Sequence, residues 1–335
     1  LRDPAGMAQL LFAVNHIRLV TASAPRTDLA PAYVDERTAA IVNGLKQWGF
    51  NAFGGDADAD IWHRGLPFIE SLEISRHLQA VAQTPAFDVY APTFPAQVEQ
   101  IVSDACAPRA QDSELIGYIS DQGLDWDPVL HPAVVLKFYL SLPLQAPGRQ
   151  RAMDYLRLRY NDDIRPLNRA WGTRAKDFTE LSPPPTADSN PAFVHDAQPF
   201  AEQVLVRYLQ TAANAIHQAD PNHLYLGANL AANPQSLPRP ESNLALAWNI
   251  PDVASFLAPA TGVGAFLASL TTVVHKPLLV SFEGCAGVVP DAGLFHAASL
   301  IGYVWTPAPD WQAPPCAAMA ASPWRRLNQT AAAGH

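Results

Sequence analysis

Cysteine is scarce in this chain. Cys106, Cys285 and Cys316 stand singly among 335 residues, with no CxxC pair. That excludes a zinc-ribbon site and a disulfide framework, and Cys285 reads as a small buried thiol. Cations are scarce as well, with 22 Lys and Arg against 31 Asp and Glu and a formal net charge of −9. Phosphate backbones and anionic bilayers bind clustered Lys and Arg, so no nucleic acid is expected as a partner. No apolar run reaches the roughly 18 residues of a membrane span. A GxSxG elbow and a glycine-rich phosphate loop are also missing, which removes two large classes of hydrolase and nucleotide enzyme. Asp56, Asp58 and Asp60 lack the glycine and terminal glutamate of a calcium loop, and read as a solvated acidic stretch. The chain begins at Leu1 without a basic leader, as in a trimmed or mature form.

What remains is apolar and evenly spread, 49% of all residues. Eight short apolar runs read as strands: Leu10–Val14, Phe50–Phe53, Phe87–Tyr90, Leu115–Ile119, Leu224–Gly227, Asp252–Phe256, Leu278–Phe282 and Ile301–Trp305. Helical spacing falls between them, over Tyr33–Trp48, Ile69–Val81, Pro95–Ser103, Gly148–Tyr160, Pro199–Ala219 and Val263–Val274. Alternation of this kind, repeated eight times without a sequence repeat, predicts a single α/β domain of the (β/α)8 TIM-barrel class over residues 1–335. Residues 124–222 form a long helical excursion after strand four, carrying a proline-rich surface loop at Ser182–Pro191. The Ala-rich end, 325–335, reads as a loose tail.

Two strands break off into polar residues. Leu115–Ile119 runs out into Ser120, Asp121, Gln122, Gly123, Leu124, Asp125 and Trp126, and Lys276–Gly284 carries Glu283 out of an equally apolar run. Barrel enzymes deliver their reactive side chains at such C-terminal strand ends. The plainer reading of Glu283 is a structural carboxylate held by an arginine or a backbone amide.

Several stretches together resemble one group of proteins. They are Asp3-Pro4-Ala5-Gly6 with Val14-Asn15, Trp48-Gly49-Phe50-Asn51, Gly117-Tyr118-Ile119-Ser120-Asp121, Leu167 to Thr173, Asp220 to Gly227, and the strand carrying Glu283. Their order and spacing are similar to the clan-A glycoside hydrolases, in the branch of β-agarase-like and family-42-like β-galactosidase catalytic domains. The resemblance implies a retaining hydrolase of a β-linked oligo- or polysaccharide, with no metal and no cofactor, in a periplasmic or extracellular bacterial setting. It implies Glu283 as nucleophile, with a protonated partner about 5–5.5 Å away on strand four. That partner is where the chain departs from the group. The expected Asp-Asn-Glu is Asp121-Gln122-Gly123, and a glycine has no proton to give.

Three accounts follow. Gln122 stands one step off register at the acid/base position, by nature or through an isosteric Glu→Gln change. Alternatively, Asp121 or Asp125 takes the acid role from a shifted backbone. In the third account the acid is lost and the chain is a non-catalytic carbohydrate-binding barrel. Ala228-Asn229 after strand five and Ser255-Phe256-Leu257-Ala258 after strand six also depart from the group, with fewer polar contacts for a sugar. For substrate binding the candidates are Asn15, His16, Trp126, Asn229 and Trp305, the last as an aromatic platform for a sugar face. His16 also reads as a core histidine, and Trp126 and Trp62 as packing. Trp171 reads as an anchor for the excursion.

Overall fold

The computed structural model describes residues 10–15, 17, 19, 31–82, 86–231, 240, 242–258, 263–283 and 300–306, with the backbone alone at 263–265, 283, 305 and 306. In chain order the elements are β1 (Leu11–Val14), α1 (Pro31–Gln47), β2 (Ala52–Phe53), β3 (Phe68–Ser71), α2 (Ile74–Ala82), α3 (Phe94–Cys106) and β4 (Leu115–Ile119). The excursion holds α4 (Pro132–Ser141), α5 (Pro147–Arg159), α6 (Ile164–Trp171) and α7 (Pro191–Ala219). Then follow β5 (Leu224–Tyr225), β6 (Leu230–Ala231), α8 (Asn243–Trp248), β7 (Ala254–Leu257), α9 (Val263–Leu270), β8 (Leu278–Glu283) and β9 (Leu300–Thr306).

Every strand pairing is parallel, in the order β5-β4-β3-β2-β1-β9-β8-β7-β6. The two ends of that order are one interrupted stave. Four residues part β5 from β6, and Leu226 N donates to Tyr118 O of β4 at 2.7 Å while Val253 N donates to Tyr225 O at 3.2 Å. Counted this way the ring has eight staves among the described residues, and β8 is the seventh. An inner apolar cluster takes Leu11 and Ala13 from β1 and Ala52, Ile69, Ile119, Leu226, Val253, Leu279 and Val304 from the other staves, so every stave contributes, as a barrel interior requires. The larger cluster lies between staves and helices.

The third stave is a correction to the sequence reading. It is Phe68–Ser71, which the helical spacing of Ile69–Val81 absorbs, and the helix starts only at Ile74. Phe87–Tyr90 is instead a turn before α3, with Ala91 N bonded to Asp88 O at 3.1 Å. Its Phe87 and Val89 are buried because helices cover them: Phe87 meets the rings of Phe94, Trp126 and Tyr208. A short apolar run reads the same in either setting.

Candidate functional site at the barrel mouth

The C-terminal ends of the staves gather polar side chains. In β3 Ile69 points into the barrel, so Ser71, two residues on, faces the same way one layer higher. Its Oγ donates to Glu73 Oε1 at 2.6 Å. Gln122, two residues past Ser120, reaches across to the same spot. A methyl on Gly55 would lie 2.7 Å from Gln122 Nε2 and 3.5 Å from Ser71 Cβ, so the glycine leaves the amide its present place there. From the other side Asn229 Nδ2 approaches Gln122 Oε1 at 3.5 Å. Asn229 holds a left-handed backbone, φ 44°, and its N–H is fixed by Ser255 Oγ at 2.9 Å. Asn15 lies over Gly54, with its Oδ1 3.5 Å from Asp56 N.

Two amide atoms in this mouth, Gln122 Nε2 and Asn229 Oδ1, are buried without a hydrogen-bond partner among the described residues. A buried donor and a buried acceptor left open side by side cost on the order of 1–3 kcal/mol each unless a ligand or water completes them. Donor and acceptor together match the hydroxyls of a saccharide.

Beneath the mouth two carboxylates of the strand-four segment, Asp121 and Asp127, are occupied. Asp121 is 1% exposed. One of its oxygens accepts from Ser75 N at 2.8 Å in the first turn of α2, and the other takes the Tyr208 hydroxyl from α7. Burial lifts its pKa to about 8, against the hydrogen bonds of Tyr208 and Ser75, and the nearby Glu73 charge adds to the rise. Asp127 accepts from Ala231 N at 2.9 Å and Val129 N at 2.7 Å, tying β6 to the loop after β4. Asp125 is exposed. Gly123 has φ 99°, a conformation that a glutamate adopts only under strain, although nothing lies near its missing Cβ.

The sequence candidates thus divide. Asn15, Gln122 and Asn229 come together at the mouth. Trp126 does not, since it is 2% exposed and its Nε1 donates to Ser75 Oγ at 3.0 Å inside the core. Trp62 sits at the opposite end, stacked on Phe68 at 4.5 Å with the Arg109 guanidinium 4.5 Å over its ring. Glu283 is the last residue of β8, with its backbone in register with Thr306. The Trp305 backbone pairs with Val14 and Phe282, and the side chains of Glu283 and Trp305 lie outside the description. His16 and Cys285 lie outside the described residues. Among the described residues no group of three or more His, Cys, Asp or Glu is arranged to hold a metal. Ser71 and Glu73 are hidden from a sequence reading, since the helical spacing of Ile69–Val81 covers the end of β3.

A closed parallel barrel with a polar mouth and helices outside it is the TIM-barrel architecture. No family model matches the chain. β-Agarase A from Vibrio sp. (strain JT0107) is 25% identical over 210 residues, 57% of this chain and 21% of that protein. An agarase of known structure superposes with a TM-score of 0.66 at 15% identity, covering 99% of this chain and 63% of its own. A β-galactosidase from Rahnella sp. R3 gives 0.60 at 10% identity, covering 98% of this chain and 56% of its own. The chain therefore spans about a fifth of its curated relative and under two thirds of the agarase. These relatives belong to the group that the sequence motifs resemble.

Proposed function

We propose that this chain is a retaining glycoside hydrolase domain acting on a β-linked, galactose-containing oligo- or polysaccharide. The 210-residue likeness to a β-agarase carries the reading, set on a barrel whose mouth leaves an amide donor and acceptor open. Glu283 attacks the anomeric carbon and forms a glycosyl ester, while a carboxyl group protonates the departing oxygen. Gln122 and Asn229 hold sugar hydroxyls, and Asn15 borders the same subsite. An amide gives up no proton at useful acidity, so Gln122 positions substrate. Asp121 serves as the rigid footing under it.

A second reading, a carbohydrate-binding barrel without turnover, is favoured by one observation. Asp121 and Asp127 spend their oxygens on backbone amides and a tyrosine, and neither is free to serve as acid. Kinetics on agarose oligosaccharides and aryl β-galactosides separate the two. The hydrolase cleaves, and Glu283→Gln lowers kcat by at least about 10³-fold with binding retained. A binder shows saturable affinity and no cleavage at any pH.

A further inference from the structure

We propose that Glu73, just past the end of β3, is the acid/base carboxyl in place of the strand-four glutamate whose position Gly123 holds, a role resting on the hydrolase reading above. Three observations carry it. First, Glu73 stands at the mouth. Its Oε1 takes the Ser71 hydroxyl at 2.6 Å, and Ser71 shares the space beside Gly55 with Gln122 Nε2. Second, its carboxylate is accessible, about a quarter exposed, and the cation paired with it among the described residues is loose: Arg76 NH1 stands 3.6 Å away on a side chain that is 80% exposed. Asp121, in the segment after β4, is an acidic neighbour whose pKa the Glu73 charge raises further.

Third, Glu73 has φ 49°. A non-glycine residue held there stores backbone strain, and strained residues gather at functional sites. The turn explains the conformation and not the residue. Glu73 O accepts the first helical bond of α2 from His77 N at 3.0 Å, a task any backbone performs and glycine performs without strain.

The step balances. The protonated Glu73 carboxyl gives its proton to the glycosidic oxygen as the C1–O bond breaks and its electron pair stays on that oxygen. Glu283 forms the new bond to C1. In the second half Glu73, now ionised, takes a proton from water as the water oxygen bonds C1 and the Glu283 ester opens. Ser71 is a positioning residue that keeps the carboxyl turned to the mouth.

The test compares the wild type, Glu73→Ala and Glu73→Gly on an agarose oligosaccharide and on 2,4-dinitrophenyl β-galactoside, whose leaving group needs no proton. The expected result is a loss of about 10²–10⁴-fold in kcat/KM on the oligosaccharide and less than about tenfold on the dinitrophenyl substrate. Added azide should rescue the variants and give the β-galactosyl azide. Glu73→Gly should also melt about 1–3 °C higher than the wild type as the strain is released. Equal losses on both substrates, or none on either, overturn the role of Glu73 and leave the hydrolase reading standing. A wild type that cleaves neither substrate overturns both.

Discussion

At the scale of single residues, the mouth is defined by what is left open. Gln122 and Asn229 are held from one side and unsatisfied on the other, which suits them to a hydroxylated ligand. Gln122→Ala removes one donor and should raise KM for the saccharide about tenfold, on the order of 1.4 kcal/mol, with kcat changed far less. Isothermal titration on the Glu283→Gln background, where nothing is consumed, checks it. Asp121 behaves differently because it is sealed. Asp121→Asn keeps an acceptor for Ser75 N and offers a donor to Tyr208, so it should cost under about 2 kcal/mol. Asp121→Ala leaves both partners open and should cost about 3 kcal/mol. Urea unfolding of the two variants measures the difference.

At the scale of elements, the stretches that make the sequence recognisable turn out to hold the barrel together. Asn51 sits in the seam between β1 and β2, its Oδ1 taking Phe12 N at 2.8 Å and its Nδ2 giving to Leu10 O at 2.7 Å. Asp220 collects the Tyr118 hydroxyl, two backbone amides and His223 Nδ1. Trp171 gives its Nε1 to Asp196 at 2.8 Å, and Asp196 also takes Arg159 and the Tyr160 hydroxyl, clamping α5 and α6 to α7. Asp196→Ala strands Arg159 and two aromatic donors and should cost about 3 kcal/mol, visible as a lower urea midpoint and as earlier proteolysis of the excursion.

Such roles explain what could be read in advance. Seven of the eight staves are legible because buried parallel strands are short apolar runs followed by polar ends. The third is not, because Phe68-Ile69-Glu70-Ser71 carries an outward Glu70 paired with Arg109, and its apolar residues continue the helical period of α2. The proposed acid/base residue is hidden for the same reason. Glu283 and Gln122 announce themselves at strand ends, whereas Glu73 needs the third stave in place before it has a face. Trp126 shows the opposite limit: beside Asp125 it reads either as a substrate contact or as packing, and its rings against Phe87 and Tyr208 settle it in the core.

At the scale of the whole molecule, two buried carboxyls tie stability to pH. Burial lifts Glu70 to about 7 in spite of Arg109, and Asp121 to about 8. An unfolded carboxyl titrates near 4. Between those values the folded chain holds more protons than the unfolded one, so raising the pH through this window removes stability. The melting temperature should fall from about pH 5 to pH 9, and Asp121→Asn should flatten the upper part of that slope. Scanning calorimetry across the range checks the sign.

The central claim is that a carboxylate on the seventh stave attacks the anomeric carbon of a β-linked sugar. A 2-deoxy-2-fluoro-β-galactosyl fluoride tests it most directly, because the fluorine slows hydrolysis of the glycosyl ester enough for mass spectrometry of the intact chain. The account predicts one added fluorosugar per chain, mapped to the peptide containing Glu283 and lost in Glu283→Gln. An unlabelled chain that binds the saccharide but never accumulates the ester, or a label on another carboxylate, would contradict it.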